Sequence, residues 1–238
     1  MLAQRLLPAL AVCALALSAC SKSDASFDAK VHDYMMRHPE VVQEAMNKLQ
    51  AQQDAATAAK AKQSIAQYRQ AIERDPRDFV ANPNGKITLT EFYDYRCPHC
   101  INAAAAVANI VHNDPDVRVV FKEFPIFGAT SEHAAAGAIA LKRQGGDVLS
   151  LYMDFMNTRP LDDAAIDRIL RAHGVDPAKL DQGPLHDEAQ AEMTAVRQLA
   201  ENLGIEGTPA FIVGTTLVPG DDTDAVNAAI GAARKSAG

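Results

Sequence analysis

Two cysteines separated by two residues, in Cys97-Pro98-His99-Cys100, are the part of this chain with the clearest capacity for chemistry. They follow an apolar, strand-like run, Ile87 to Tyr93, and precede an alanine-rich, helix-like run, Ile101 to His112. In a helix that starts at the first cysteine, Cys97 meets unpaired backbone N–H groups and the positive end of the helix dipole, so its thiolate is favoured over its thiol. Its pKa is expected to fall well below the free value of about 8.5. Pro98 suits the first helical position, where its missing N–H has no partner to lose, and a three-residue separation brings Cys100 back towards Cys97 across one turn. A reversible disulfide between them follows. A protonated His99 would add positive charge beside the Cys97 sulfur, stabilising the thiolate and making the disulfide a stronger oxidant.

Metal binding or a plain structural disulfide are the competing uses of such a pair. A closed zinc site needs four ligands, usually a second CxxC or paired histidines. The seven histidines (His32, His38, His99, His112, His133, His173, His186) are scattered without such pairing. No metal and no separate cofactor are therefore expected, the redox-active disulfide carrying the chemistry itself.

The 238 residues suffice for one well-cored domain with a sizeable extension, or two small domains. A composition 48% hydrophobic but only 5% aromatic, rich in alanine and without Trp, points to much helix. The formal net charge of −7 argues against nucleic acid as a partner.

Residues 1–19 read as a targeting segment to be left out of the fold, with Arg5 before an apolar run from Leu6 to Leu17 that is short for a membrane span. The ending Leu17-Ser18-Ala19-Cys20 resembles a bacterial lipobox, in which cleavage precedes a cysteine that is then lipidated; the competing reading is an ordinary secretory signal cleaved near Ala19. Several acyl chains hold a protein stably to a bilayer. Ser21 stands where an aspartate would suggest inner-membrane retention, so an anchor facing the periplasm from the outer membrane is the expectation. With Cys13 removed and Cys20 lipidated, Cys97 and Cys100 are the two cysteines left in the mature globular part. An exported chain with one CxxC and no other pair is using its thiols for exchange.

After the polar tether Ser21 to Ser26, the stretch Phe27 to Glu73 has no glycine and one proline, Pro39, which is placed to open a second helix. A helix over Pro39 to Glu73 would reach on the order of 50 Å. Its thin apolar stripe must pack on a neighbouring domain or on copies of itself, or else form a solvated spacer. Asn82-Pro83-Asn84-Gly85 is a turn, and Lys86 to Tyr95 leads into the cysteines. Glu91 within that strand is either a solvent-facing residue on an edge strand or a buried carboxyl with raised pKa that exchanges protons with Cys100. Val117 to Phe124 reads as a second, parallel strand completing a βαβ unit. A helical block follows, beginning with a helix over Glu132 to Arg143 that Ser131 could cap. Gly207-Thr208-Pro209 then opens a short apolar strand, Ala210 to Val213, paired with Thr215 to Leu217 and followed by a last helix. A proline opening a buried strand is unusual unless its N–H is not wanted there.

The cysteine motif, Glu91 six residues before it and the downstream Gly207-Thr208-Pro209 together resemble the thioredoxin fold, and within it the DsbA-like bacterial envelope disulfide oxidoreductases. The resemblance implies an α/β thioredoxin domain over residues 83–238 with a helical insert at about 130–203, preceded by a tether and helical extension over 20–82. It also implies roles. Cys97 is the attacking and disulfide-donating sulfur, Cys100 the resolving one, His99 the tuner of redox potential, and Glu91 the buried acid serving Cys100. Pro209 is a cis proline facing the cysteines, with Thr208 beside it pairing with substrate through its backbone. The expected partners are exported proteins with cysteines and a membrane redox partner of the DsbB or DsbD kind. The N-terminal extension is similar to those of ScsC-like proteins, where such segments can drive oligomerisation. The two rivals are a tethered chaperone-like binding protein and a copper- or zinc-handling protein.

Overall fold

A computed structural model describes residues 25–237, so the expected signal segment and the lipidation candidate Cys20 lie outside the described residues. The chain divides into two compact units, one up to Ala56 and one from Thr57. The first holds helix α1 (Ala25–Arg37) and the opening part of α2 (Pro39–Glu73), with Pro39 starting the second helix. Large apolar side chains of this unit stand in water, among them Phe27 at 63%, Met36 at 69% and Met46 at 61% exposure. Among the described residues no helix is long and apolar enough to cross a membrane.

The second unit is built on a five-stranded sheet in the order β1-β3-β2-β4-β5. Its strands are β1 (Phe79–Ala81), β2 (Ile87–Tyr93), β3 (Val117–Glu123), β4 (Ala210–Val213) and β5 (Thr216–Pro219). β2 and β3 run parallel and are joined by α3 (Pro98–Asn113), the expected βαβ unit, while the other pairings are antiparallel. Between β3 and β4 stand α4 (Ala129–Arg143), α5 (Val148–Asn157), α6 (Asp163–Ala172), a short 3-10 turn and α7 (Gly183–Leu203); α8 (Thr223–Ala237) closes the chain. β1 has no counterpart in the sequence reading, because three residues are too few to show an alternation. Glu91 lies on the central strand rather than on an edge.

Strand alternation divides the core in two. Leu89, Tyr93 and Phe121 join Val107, Tyr152 and Ile230 on one face, whereas Phe92 and Ile212 join Ile65, Ile72, Leu199 and Leu203 on the other. β2 is therefore covered on both sides, as a central parallel strand must be. Gly85 is required by the close approach of the chain entering β3, since a Cβ there would meet the backbone nitrogen of Arg118 at 2.5 Å. Ser131 does not cap α4, which begins at Ala129 after Gly128. Its hydroxyl is buried and donates to the Asp94 carboxylate at 2.8 Å, an acceptor that only the folded chain brings near.

The sheet also terminates α2. The last carbonyls of a helix lack intrahelical donors. Here Lys122 Nζ donates to the carbonyl of Ala71 at 2.6 Å, the Thr90 hydroxyl to that of Ile72 at 3.3 Å and Arg118 to that of Glu73 at 2.7 Å. Lys122 is 1% exposed and is paired with Asp78 at 2.6 Å. Burial pushes the Asp78 carboxyl up to about 6 despite the opposing pull of Lys122.

Removing one member of a buried ion pair leaves the other charge uncompensated and costs about 3–5 kcal/mol. Lys122→Met, which keeps the stem volume, is expected to lower the unfolding free energy obtained from urea titration by that amount; a value unchanged from the natural protein would show that the pair does not hold α2 to the sheet.

Candidate active site

The cysteine motif stands where the central strand β2 gives way to α3. Cys97 is the N-cap residue with φ −72° and ψ 121°, and Pro98 occupies the first helical turn. The connection is tied down by Asp94. Its carboxylate accepts the backbone N–H of Arg96 at 2.7 Å, of Ile126 at 2.7 Å and of Phe127 at 3.0 Å, while its own carbonyl accepts the Cys97 N–H at 3.1 Å. Arg96 adds a bond to the Phe127 carbonyl at 3.1 Å. The first turn of α3 is thereby locked to the loop after β3.

Both cysteines are free thiols, and both are buried. Their environments differ in sign. Cys97 is held down at about 5, chiefly because the Cys100 thiol donates to its sulfur, with further help from the Thr208 side chain and from the backbone N–H groups of Cys100 and His99; burial opposes this. Cys100 is pushed far above the ordinary thiol range, first by burial and then by the bond it gives to Cys97, with the charge of Glu91 adding to the effect. One sulfur is poised as a nucleophile and the other stays a thiol.

Thr208 faces Cys97 across the site. The Cys97 thiol donates to the Thr208 carbonyl at 3.0 Å, and the peptide between Thr208 and Pro209 is cis. A thiolate cannot donate, so ionisation ends that bond and sets lone pairs against the carbonyl. The Thr208 hydroxyl, buried and without a partner while Cys97 is a thiol, is the group able to turn and donate to the thiolate. Beside it runs a largely apolar groove lined by Ile205, Gly207, Thr208, Pro209, Leu217 and Gly220.

His99 points outward, and its Nδ1 lies 3.2 Å from Asp221, a residue of the loop between β5 and α8 that also accepts a bond from Asn102 at 3.0 Å. Any charge on His99 is thus partly neutralised. Nothing in the sequence separation of His99 and Asp221 announced this contact.

Glu91 is fully buried on the face of β2 that carries the cysteine helix. Its carboxyl accepts the Tyr152 hydroxyl of α5 at 3.3 and 3.4 Å. Burial pushes it up to about 8 against that bond, and the nearby charge of Glu123 raises it further. The fold thus brings Cys97, Cys100, Glu91, Thr208 and Pro209 to one place and adds Asp94, Tyr152 and Asp221, which sequence reasoning missed. A tyrosine inside a helical insert and an aspartate in a loop give no signal before the chain is folded.

Residues 88–231 match the DSBA-like thioredoxin domain, and residues 25–56 match the copper resistance protein ScsC N-terminal domain. The chain is 33% identical over 135 residues to the thiol:disulfide interchange protein DsbA of Bordetella parapertussis, a match covering 55% of this chain and 64% of that relative, just under two thirds of its length. Among solved structures, a thioredoxin-like oxidoreductase from Silicibacter pomeroyi is 35% identical with a TM-score of 0.64, covering 70% of this chain and 98% of that one. BcfH of Salmonella enterica Typhimurium is 26% identical with a TM-score of 0.71, covering 87% and 94%.

Thiolate absorbance is expected to rise with a midpoint at about pH 5 for Cys97. In Cys100→Ala the thiol donor is gone, and the midpoint should climb by about one to two units, the worth of a hydrogen bond to a charged group. Because the folded pKa lies below the unfolded one, ionisation stabilises the reduced protein above the unfolded thiol pKa of about 8.5, and this contribution is lost as pH falls towards 5. Glu91 and Glu123, raised to about 8, titrate across the same window with the opposite sign, so the Cys97 contribution is read as the difference in urea stability between the reduced natural protein and Cys97→Ala; a difference that stays flat from pH 5 to about 8.5 would contradict the depressed Cys97 pKa.

Proposed function

We propose that this chain, which belongs to the DSBA-like thioredoxin domain family, is an envelope thiol:disulfide oxidoreductase that forms or rearranges disulfides in exported proteins through Cys97-Pro98-His99-Cys100. The observation that carries this reading is the placement of two free thiols one turn apart at a helix N-terminus, the first capping the helix and donating to the Thr208 carbonyl at 3.0 Å beside Pro209, the second buried behind it.

In the oxidising direction a substrate thiolate attacks the Cys97 sulfur of the Cys97–Cys100 disulfide. The bond breaks, its electron pair goes to Cys100, and the resulting thiolate takes a proton from Glu91. A second substrate thiolate then attacks the substrate sulfur, forming the substrate disulfide and releasing Cys97 as its stabilised thiolate. The protein gains the two electrons that the substrate loses. Low Cys97 pKa makes that sulfur a good leaving group, which favours donation of the disulfide. In the rearranging direction the Cys97 thiolate attacks a substrate disulfide and is released by another substrate thiol or by Cys100. Thr208 offers its backbone for strand-like pairing with the substrate chain, and the apolar groove beside Pro209 takes neighbouring side chains. His99 tunes the potential of the pair. Reoxidation or rereduction falls to a membrane partner of the DsbB or DsbD kind, and Cys20 supplies a lipid anchor to the outer membrane on the periplasmic side.

The unit up to Ala56 is assigned to self-association. Its match to the ScsC N-terminal domain and the exposed Met36, Met46 and Leu49 support this, because a monomer would leave these side chains in water.

The test is reactivation of a reduced and of a scrambled multi-disulfide protein by the signal-free chain, with its mass measured by light scattering. Activity on either substrate, lost by at least about a thousandfold in Cys97→Ser and converted to trapped mixed disulfide in Cys100→Ala, is the expected outcome for covalent exchange chemistry. Inactivity on both substrates would end the exchange reading. Met36→Glu with Leu49→Glu should yield a monomer; an unaltered mass would remove the extension from assembly.

A further inference from the structure

A second buried carboxyl lies on the same face of the sheet as Glu91 and takes no part in the mechanism above. Glu123 ends β3 directly opposite Tyr93 in the parallel register, and Tyr93 and Tyr95 both donate to its Oε1, at 2.5 and 2.8 Å. The two phenol oxygens are 3.1 Å apart. Tyr152, the donor to Glu91, packs its ring edge-on against Tyr93 and Tyr95 at centroid distances of 5.2 and 6.1 Å. Two acids and three phenols therefore fill one dry layer behind Cys100. The hydrogen bonds form two separate sets, one on each acid, joined through ring contacts.

The sets differ in strength. Glu91 receives one long bond, whereas Glu123 receives two short ones and faces a narrow crevice that also holds Lys142 and Glu192. Lys142 and Glu192 are themselves paired at 2.9 Å, so little net charge reaches Glu123 from that side. The groups facing Glu123 are thus Tyr93 and Tyr95 from β2 and its extension, Lys142 from α4, Glu192 from α7 and, through Tyr152 of α5, Glu91. Burial pushes both carboxyls up to about 8. In so dry a layer ionisation of one opposes ionisation of the other, so their protons come off in steps belonging to the pair.

We propose that Glu123 is a positioning residue for the thiol exchange: held by Tyr93 and Tyr95, it forms with Glu91 a coupled two-acid unit whose shared charge decides when Glu91 can take or return the Cys100 proton. This rests on the exchange reading of Cys97 and Cys100. When Cys100 attacks the mixed disulfide at Cys97, its proton passes to the Glu91 carboxylate. The new Cys97–Cys100 bond forms as the bond from Cys97 to the substrate sulfur breaks, and the substrate leaves as a thiolate. An ionised Glu123 holds the proton on Glu91 and delays this step to higher pH. A neutral Glu123 lets Glu91 ionise earlier.

The experiment follows release of a fluorescent peptide thiol from its mixed disulfide with Cys97 across pH, alongside carboxyl-carbon NMR titration of the same protein. The natural chain is expected to show a broad release profile and a Glu91 signal with a second inflection at the Glu123 midpoint. In Glu123→Gln the profile should sharpen to one step and move down by about half a unit, roughly a threefold gain in carboxylate-to-acid ratio at the original midpoint. Glu91→Gln should erase the effect of Glu123→Gln. A folded Glu123→Gln variant with an unmoved midpoint would overturn the proposal. If that variant does not fold, the NMR titration of the natural chain decides, and independent single-step titration of the two carboxyls would overturn it equally. Absence of any peptide release, with coupled carboxyl titration intact, would count against the exchange reading and leave the two-acid unit standing without a thiol to serve.

Discussion

A sulfur at the first turn of a helix meets unpaired N–H groups and the positive end of the helix dipole, whereas a sulfur one turn deeper, closed over by apolar side chains, meets neither water nor favourable charge. That asymmetry between Cys97 and Cys100 is the constraint on which the remaining site depends. It requires α3 to start at Cys97, which the Pro98 ring and the Asp94 bonds bring about. It also requires Cys100 to be covered, which falls to residues of α5 and the sheet. Each thiol lowers or raises the other through a single shared hydrogen bond, so neither can be retuned alone.

The sheet serves this arrangement through its two faces. One receives α3, α5 and α8 and holds the buried acids; the other receives the end of α2 and most of the apolar face of α7. Side chains of alternate residues in β2 and β3 thus do unrelated work a few ångströms apart. Glu91 and Glu123 lie on the face that carries the cysteine helix, while Thr90, Arg118 and Lys122 satisfy the last carbonyls of α2. The helical insert is likewise more than cover, because it brings Tyr152 to the Glu91 carboxyl.

Buried carboxyls are costly unless neutral or well bonded. Two of them placed in one layer, with three phenols as the donors, give the protein protons to hold near neutral pH without a histidine at that position. The histidine of the motif is on the outside, turned to Asp221.

Much of this was legible in the chain alone. Cys97-Pro98-His99-Cys100 between an apolar strand and an alanine-rich helix specifies a helix N-cap and a low-pKa thiol, because both are local properties of backbone and spacing. The βαβ unit, the order of the helices and the strand after Pro209 follow from periodicity and turn residues. What only the tertiary structure decided is the company each group keeps. Glu91 reads equally well as exposed or buried until the strand order puts β2 at the centre. The three-residue β1, the Asp94 clasp on a loop 32 residues away, the Tyr152 bond 61 residues away and the His99–Asp221 contact leave no local pattern, since they join segments whose approach depends on the packed core. Local sequence sets the conformation of a turn or a helix end; burial and charge at a side chain are properties of everything that packs around it.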